Sequence, residues 1–279
     1  MEKIIVAFDG LKYEGSSEEY ALYLAAKSDT FVVGVFLEDF THHSYKLFDM
    51  VGSQGVSQEK VKHLIEGDKK KRHESVLRFQ SACKKRGVRY DIHHDKSIAL
   101  QELLRETIYA DLLIINSNET LTHFTEGVPT RFIQDLLANV QCPAMVIPSK
   151  YKPIDRITLL YDGEPSSVFA VKMFCYMLPF FKDLEAEVLM VNPSEEQKGE
   201  LPDGDLIKEF IRCHMPNATF NIHFGDPRTE IINYLKTREN SLVVLGAYRR
   251  SLVSRWFNES LADTILREVE LPLFIAHNR

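Results

Sequence analysis

The sequence predicts an α/β protein of two tandem, doubly wound domains, each built on a parallel sheet. First, the chain is written twice. Ile4-Ile5-Val6-Ala7-Phe8-Asp9-Gly10 returns as Ile157-Thr158-Leu159-Leu160-Tyr161-Asp162-Gly163, each copy an apolar run broken at Asp-Gly. Second, both halves end alike: an apolar run (112–115; 242–245), a loop, a helical stretch, then a short strand introduced by Pro143 or Pro272. Third, several strands are unbroken apolar runs, as a sheet covered on both faces requires, and they alternate with helices. A repeat this long means two similar domains, not a solenoid.

In the first half, Lys3–Asp9 is a strand rich in Ile and Val, and 16–26 is a helix with Tyr20, Ala21, Leu24 and Ala25 inward. Residues 30–37 form a second buried strand. Residues 38–58, with Gly52, Gly55 and several Ser and His, form an irregular loop. That loop carries Phe40, Tyr45, Leu47, Phe48 and Met50, an apolar load suited to covering the first-half groove, to an interface, or to packing on its own domain. Residues 57–86 are a long helix with Val61, Leu64, Ile65, Leu77 and Phe79 as its buried line. A strand at 89–93, a helix at 98–109, a strand at 111–116, a helix at 132–138 and a strand at 144–147 complete the half.

The linker Pro148-Ser149-Lys150-Tyr151-Lys152-Pro153 separates domains at 1–148 and 154–279. The second half repeats the order. Its strands fall at 156–161, 187–191, 219–223, 241–245 and 273–276, and its helices at 166–180, 205–215, 227–237 and 260–268.

The 279 residues carry a net charge of −6, split −2 and −4 between positions 1–150 and the rest. Neither half is basic, so nucleic acid is not an expected partner. The basic run Lys69-Lys70-Lys71-Arg72 lies among Glu66, Asp68 and Glu74 and fits a solvated helix face. No apolar stretch approaches the ~20 residues needed to span a bilayer, and no leader precedes the first strand, so no membrane association is expected and the cytoplasm is the expected location. Cys83, Cys142, Cys175 and Cys213 form no C-x-x-C pair, and Cys83 and Cys175 fall at apolar helical positions. The adjacent pairs His42-His43 and His93-His94 point to opposite strand faces, so no metal site is expected.

In a doubly wound sheet, ligands bind outside the carboxyl ends of the strands where strand order reverses. With the order 3-2-1-4-5, Asp9 meets the loop after Asn116 in one half, and Asp162 meets the loop after Leu245 in the other.

These residues resemble the universal stress protein family in its tandem form. The resemblance rests on the strand-one Asp in both halves and on Gly225-Asp226-Pro227 leading into a helix. It rests also on Leu242–Gly246, Ser260–Arg267 and Leu271–Ile275, which in this family are strand four, the last helix and strand five. It implies a Rossmann-like α/β fold with strand order 3-2-1-4-5. It also implies two halves packed as an intrachain pseudo-dimer through their fifth strands, and a stress-response role; a homodimer is a further candidate assembly.

ATP-binding members carry G-x-x-G, nine residues, then G followed by Ser or Thr. The glycines let backbone N–H groups approach the phosphates, and a helix N-terminus completes the anion site. The second half keeps the spacing, with Gly246 first, Arg249 and Glu259 replacing glycines, and Ser260 at the hydroxyl position. Asp162, Gly246, Arg249 and Ser260 are its candidate nucleotide site. Ser260 is equally an N-cap for the last helix. In the first half Asn116, Glu119 and Pro129-Thr130 stand at these places, so Asp9, Asn116 and Thr130 mark a site that has lost its signature.

No Ser-His-Asp, paired-carboxylate or zinc pattern stands out. Together with the resemblance, this implies a non-catalytic stress-response protein that binds a small ligand or a protein partner, with no catalytic residues. The replaced glycines argue against adenine nucleotides. The alternative is ATP or AMP binding, or weak ATP hydrolysis, at the second-half site.

Overall fold

A computed structural model describes residues 1–39, 51–52, 55–56, 58–122, 125–193, 201–246 and 260–277. The chain divides into two compact units, Glu2–Gln141 and Cys142–Arg279, the latter including Met1.

The first unit begins with β1 (Lys3–Asp9), α1 (Gly15–Ser28) and β2 (Phe31–Asp39). Part of the expected irregular loop is described. Val51–Gly52 (β3) and Gly55–Val56 (β4) pair antiparallel, and Glu38 and Asp39 still belong to β2. Phe40, Tyr45, Leu47, Phe48 and Met50 lie outside the described residues. Next come α2 (Gln58–Arg86), β5 (Tyr90–Ser97), α3 (Ala99–Thr107), β6 (Leu112–Asn116) and α4 (Arg131–Asn139). The strand order is β6-β1-β2-β5, all parallel.

Every residue of β6 is buried, as are Ile4 to Asp9 of β1, which is why these strands carry no polar alternation. Between β2 and α2, Phe8, Phe36 and Phe79 form an aromatic cluster with Tyr13 stacked on Phe8. Gly34 makes room for it: a Cβ there would stand 2.7 Å from the Phe79 ring.

The buried line of α2 differs from the expected one. Phe79 is buried, but Leu77 is 49% and Ile65 37% exposed, and Leu64 is partly exposed. The inward line runs through Asp68, Ser75, Val76, Phe79 and Cys83. Their spacing is helical, but two of the five are polar, so hydrophobicity alone selects the wrong rows.

The second unit takes in β7 (Ala144–Ile147), then β8 (Arg156–Leu160), α5 (Pro165–Met177) and a 3₁₀ turn at Pro179–Phe181. These are followed by β9 (Glu185–Asn192), α6 (Gly204–His214), β10 (Thr219–Phe224), α7 (Pro227–Lys236), β11 (Ser241–Gly246), α8 (Leu261–Glu268) and β12 (Leu273–Ala276). Its order is β10-β9-β8-β11-β12-β7. The first five are parallel and give the order 3-2-1-4-5. β7 adds antiparallel to β12, through Leu273–Val146, Phe274–Met145 and Ile275–Ala144. The two fifth strands of the repeat thus pair, and neither leaves that edge of β12 open.

Helix α7 is fixed to the sheet by a polar cluster rather than by apolar contacts alone. Glu187 of β9 accepts hydrogen bonds from Thr158 (3.0 Å), Arg238 (3.3 Å) and the hydroxyl of Tyr234. Cys83, Cys142 and Cys175 are buried free thiols and Cys213 is exposed. Among the described residues no helix is long and apolar enough to cross a membrane.

Candidate functional site

Parallel pairing of β1 with β6 sets their carboxyl ends side by side in the first unit. Asp9, at the end of β1, is 1% exposed, and its Oδ1 accepts the N–H of Leu11 at 2.8 Å. This is the turn chemistry expected of Asp before Gly. Asn116, at the end of β6, is equally buried. Its Nδ2 donates to the Ser16 hydroxyl at 3.2 Å and its Oδ1 accepts the N–H of Asn118 at 2.9 Å. Asn116 therefore ties the loop to the first turn of α1, a role that glycine could not fill.

Glu119, at the place of the second glycine, turns into the protein. It is 7% exposed, and its Oε1 accepts the N–H groups of both Thr120 and Leu121 at 3.0 Å. Burial, and then the charge of Asp9, push its carboxyl up to about 7 against the pull of those amides and of Lys12. Lys12 itself donates to the carbonyl of Thr122. Thr130 is the N-cap of α4: its hydroxyl accepts the N–H of Ile133 at 3.2 Å and donates to the Glu119 carbonyl. Glu126 adds a carboxylate at the same helix end, accepting the N–H of Arg131 at 2.9 Å. An open cavity of about 380 Å³ is lined by Glu126, Gly127, Pro129 and Arg131. Asp9, Glu119 and Thr130 are thus brought together, with Asn116 holding their loop.

The second unit is arranged differently. Asp162 is exposed where Asp9 is buried, and its Oδ1 accepts the N–H of Glu164 at 2.9 Å. Gly246, at the end of β11, lies against the first turn of α5. A Cβ there would sit 2.3 Å from the carbonyl oxygen of Ser166. Helix packing alone therefore demands this glycine. Ser260 caps α8: its hydroxyl accepts the N–H of Asp263 at 3.0 Å, and Asp263 Oδ2 accepts the N–H of Ser260 at 3.3 Å. This is a capping box, with a 6% exposed carboxylate at the helix N-terminus. Arg249, Tyr248, Trp256 and Glu259 lie outside the described residues.

Sequence reasoning took Ser260 as a cap but missed its partner Asp263, which the Ser-x-x-Asp spacing announces. It also missed Glu126 and Asn192. Asn192 ends β9 at the carboxyl side of the sheet, 1% exposed, and its Nδ2 has no hydrogen-bond partner among the described residues. Its carbonyl accepts the N–H of Gly225 at 3.0 Å. The Gly225-Asp226-Pro227 motif starts α7: Asp226 accepts the N–H and the hydroxyl of Thr229, both at 2.8 Å, which hold its carboxyl below the usual range. Among the described residues no three His, Cys, Asp or Glu side chains gather as a metal site.

Residues 194–277 match the model of the universal stress protein family. The structure of a universal stress protein from Archaeoglobus fulgidus DSM 4304 superposes with a TM-score of 0.71 at 14% identity, over 99% of this chain and 98% of that one. A functionally unknown protein from Pseudomonas aeruginosa PAO1 gives 0.65 at 11% identity, over 99% and 92%. No curated protein matches the sequence. The chain carries a universal stress protein domain in its second half, and over its whole length it has that family's fold in tandem.

Proposed function

We propose that this is a non-catalytic, cytoplasmic stress-response protein that works by binding a small ligand or a protein partner, not by phosphate-loop chemistry. One observation carries this reading. In each half, the helix N-terminus that would receive a phosphate is already capped by a hydroxyl and a carboxylate of the chain. Thr130 and Glu126 serve α4, and Ser260 and Asp263 serve α8. A helix N-terminus attracts anions because its first N–H groups lack partners. Here side-chain oxygens already take two of those N–H groups in α4 and one in α8, and a triphosphate would face a carboxylate at each helix end.

The buried, unpartnered amide of Asn192 supports a neutral hydrogen-bonding ligand at the carboxyl ends of the second-half strands. An unsatisfied buried donor costs about 1–3 kcal/mol, which an accepting ligand would recover.

Purified protein analysed by native mass spectrometry, followed by calorimetric titration with ATP, tests the proposal. No adenine nucleotide should co-purify, and the Kd for ATP should be weaker than about 1 mM, or about 4 kcal/mol of binding. Stoichiometric ATP or AMP in the released ligand would overturn it in favour of a nucleotide-binding protein.

A further inference from the structure

We infer that the first half holds a separate small-molecule site between α2 and the ends of β2 and β5, which takes a free amino acid or a similar small zwitterion. The ligand's ammonium faces inward and its carboxylate faces the mouth.

A cavity of about 500 Å³ opens there, within the range of small-ligand pockets. It lies on the far side of β1 from β6, away from the nucleotide position, so the inference is independent of whether ATP binds. Its helix wall has no counterpart in the repeat. α2 spans 29 residues and α6 spans 11, and each leads into the third strand of its half. Matched from that end, α6 corresponds to the last three turns of α2. Ile65, Asp68, Lys69, Arg72 and His73 therefore lie on an extension that only the first half carries. The extension is anchored where it meets the sheet. Ser75 donates to the Gly10 carbonyl at 2.8 Å, and a Cβ on Gly10 would stand 3.0 Å from the Arg72 side chain.

Charge in the cavity is sorted by depth. At the inner end Asp68 is 3% exposed, and Glu38 pairs with Arg72 at 3.5 Å, both of these side chains being mostly buried. Two carboxylates there stand against one guanidinium, and low polarity strengthens the attraction of a cation to that end. At the mouth, Lys69 and the imidazoles of His73 and His94 are exposed and supply N–H donors and positive charge. The register of His94 with Phe36 turns its ring toward α2, 6.0 Å from the Phe36 ring. Ile65 adds an apolar surface for an aliphatic stem. A simple anion would meet the inner carboxylates, and a simple amine would meet the cationic mouth. A molecule carrying both charges suits both ends.

L-Norleucine is titrated into the isotope-labelled full chain at neutral pH, beside hexanoate, which lacks its ammonium, and pentylamine, which lacks its carboxylate. The imidazole signals of His73 and His94 and the amide of Lys69 are followed by NMR. Norleucine should give saturable shifts and bind at least about tenfold more tightly than either counterpart. Asp68→Asn should weaken norleucine to the level of hexanoate, and Lys69→Gln should weaken it to the level of pentylamine. Lys69 is exposed, so Lys69→Gln keeps the fold and carries the test even where Asp68→Asn does not fold. An absence of saturable shifts with norleucine at about 10 mM would overturn the inference. So would equal binding of the three probes, or a preference over pentylamine that survives Lys69→Gln.

Discussion

Replacing Glu119 with Gln isolates the energetic cost of its charge. The folded carboxyl sits at about 7 against an ordinary value of 4.5, raised first by burial and then by Asp9. A raised acid pKa means that the folded chain binds the proton more tightly than the unfolded chain. Stability from this group is therefore fully present below pH 4.5 and is lost as pH rises through 7. At 1.36 kcal/mol per pH unit, the loss amounts to about 3 kcal/mol. Glu119→Gln keeps the oxygen that accepts from Thr120 and Leu121 and removes the charge that burial and Asp9 disfavour. The variant should match wild type near pH 4.5 and exceed it by about 3 kcal/mol at pH 8. Urea unfolding followed by circular dichroism at half-unit intervals from pH 4.5 to 8 measures this. Titrating groups that do not interact with Glu119 cancel in the difference between the two proteins. A difference that stays constant across the range would refute the reasoning, because a charge-independent effect of the substitution cannot follow the titration.

Three further outcomes follow from the second half. Gly246→Ala places a methyl 2.3 Å from the Ser166 carbonyl and should cost about 3 kcal/mol in thermal unfolding; an unchanged Tm would return that glycine to ligand approach. Ser260→Ala removes one arm of the capping box and should lower stability by about 1 kcal/mol in the same assay, without altering ATP titrations. Asn192→Leu removes a buried amide nitrogen that has no partner among the described residues, so urea unfolding should show it to be no less stable than wild type. A loss above about 1 kcal/mol would mean that the amide is satisfied in the free protein.

The architecture was legible because its strands are unusually uniform. Ile4–Phe8 and Leu112–Ile115 are buried on both faces, so no alternation was needed to recognise them, and the Asp-Gly ends located the carboxyl edge of the sheet. Helix α2 was legible in extent but not in orientation. Asp68 and Ser75 face inward while Leu77 faces out, a reversal that depends on what the neighbouring strands offer. The site was less legible still. Glu119 stood out as a lost glycine, but its burial rests on amides of its own loop, and no composition or spacing rule encodes that. Asp9 and Asp162 occupy equivalent positions in the repeat, yet one is buried and the other exposed. Identical residues at identical places in a duplicated fold therefore need not share a role.

The two halves reach a similar electrostatic result by different routes. In α4 the hydroxyl and carboxylate come from Thr130 at the cap and Glu126 upstream of it; in α8 they come from Ser260 at the cap and Asp263 within the first turn. A carboxylate inside the helix can form the reciprocal capping box, whereas one upstream leaves the loop between 126 and 130 bowed around a cavity. The hydroxyl position of the phosphate loop is kept in both halves because a helix needs a cap whether or not a ligand is bound. The glycine positions are not kept equally. Gly246 remains because α5 packs on it, while Asn116 could replace its counterpart by bonding to Ser16 of α1. On this reasoning, the residues that persist from a nucleotide loop are those with a second, structural duty. Their persistence alone is then no argument for nucleotide binding in either half.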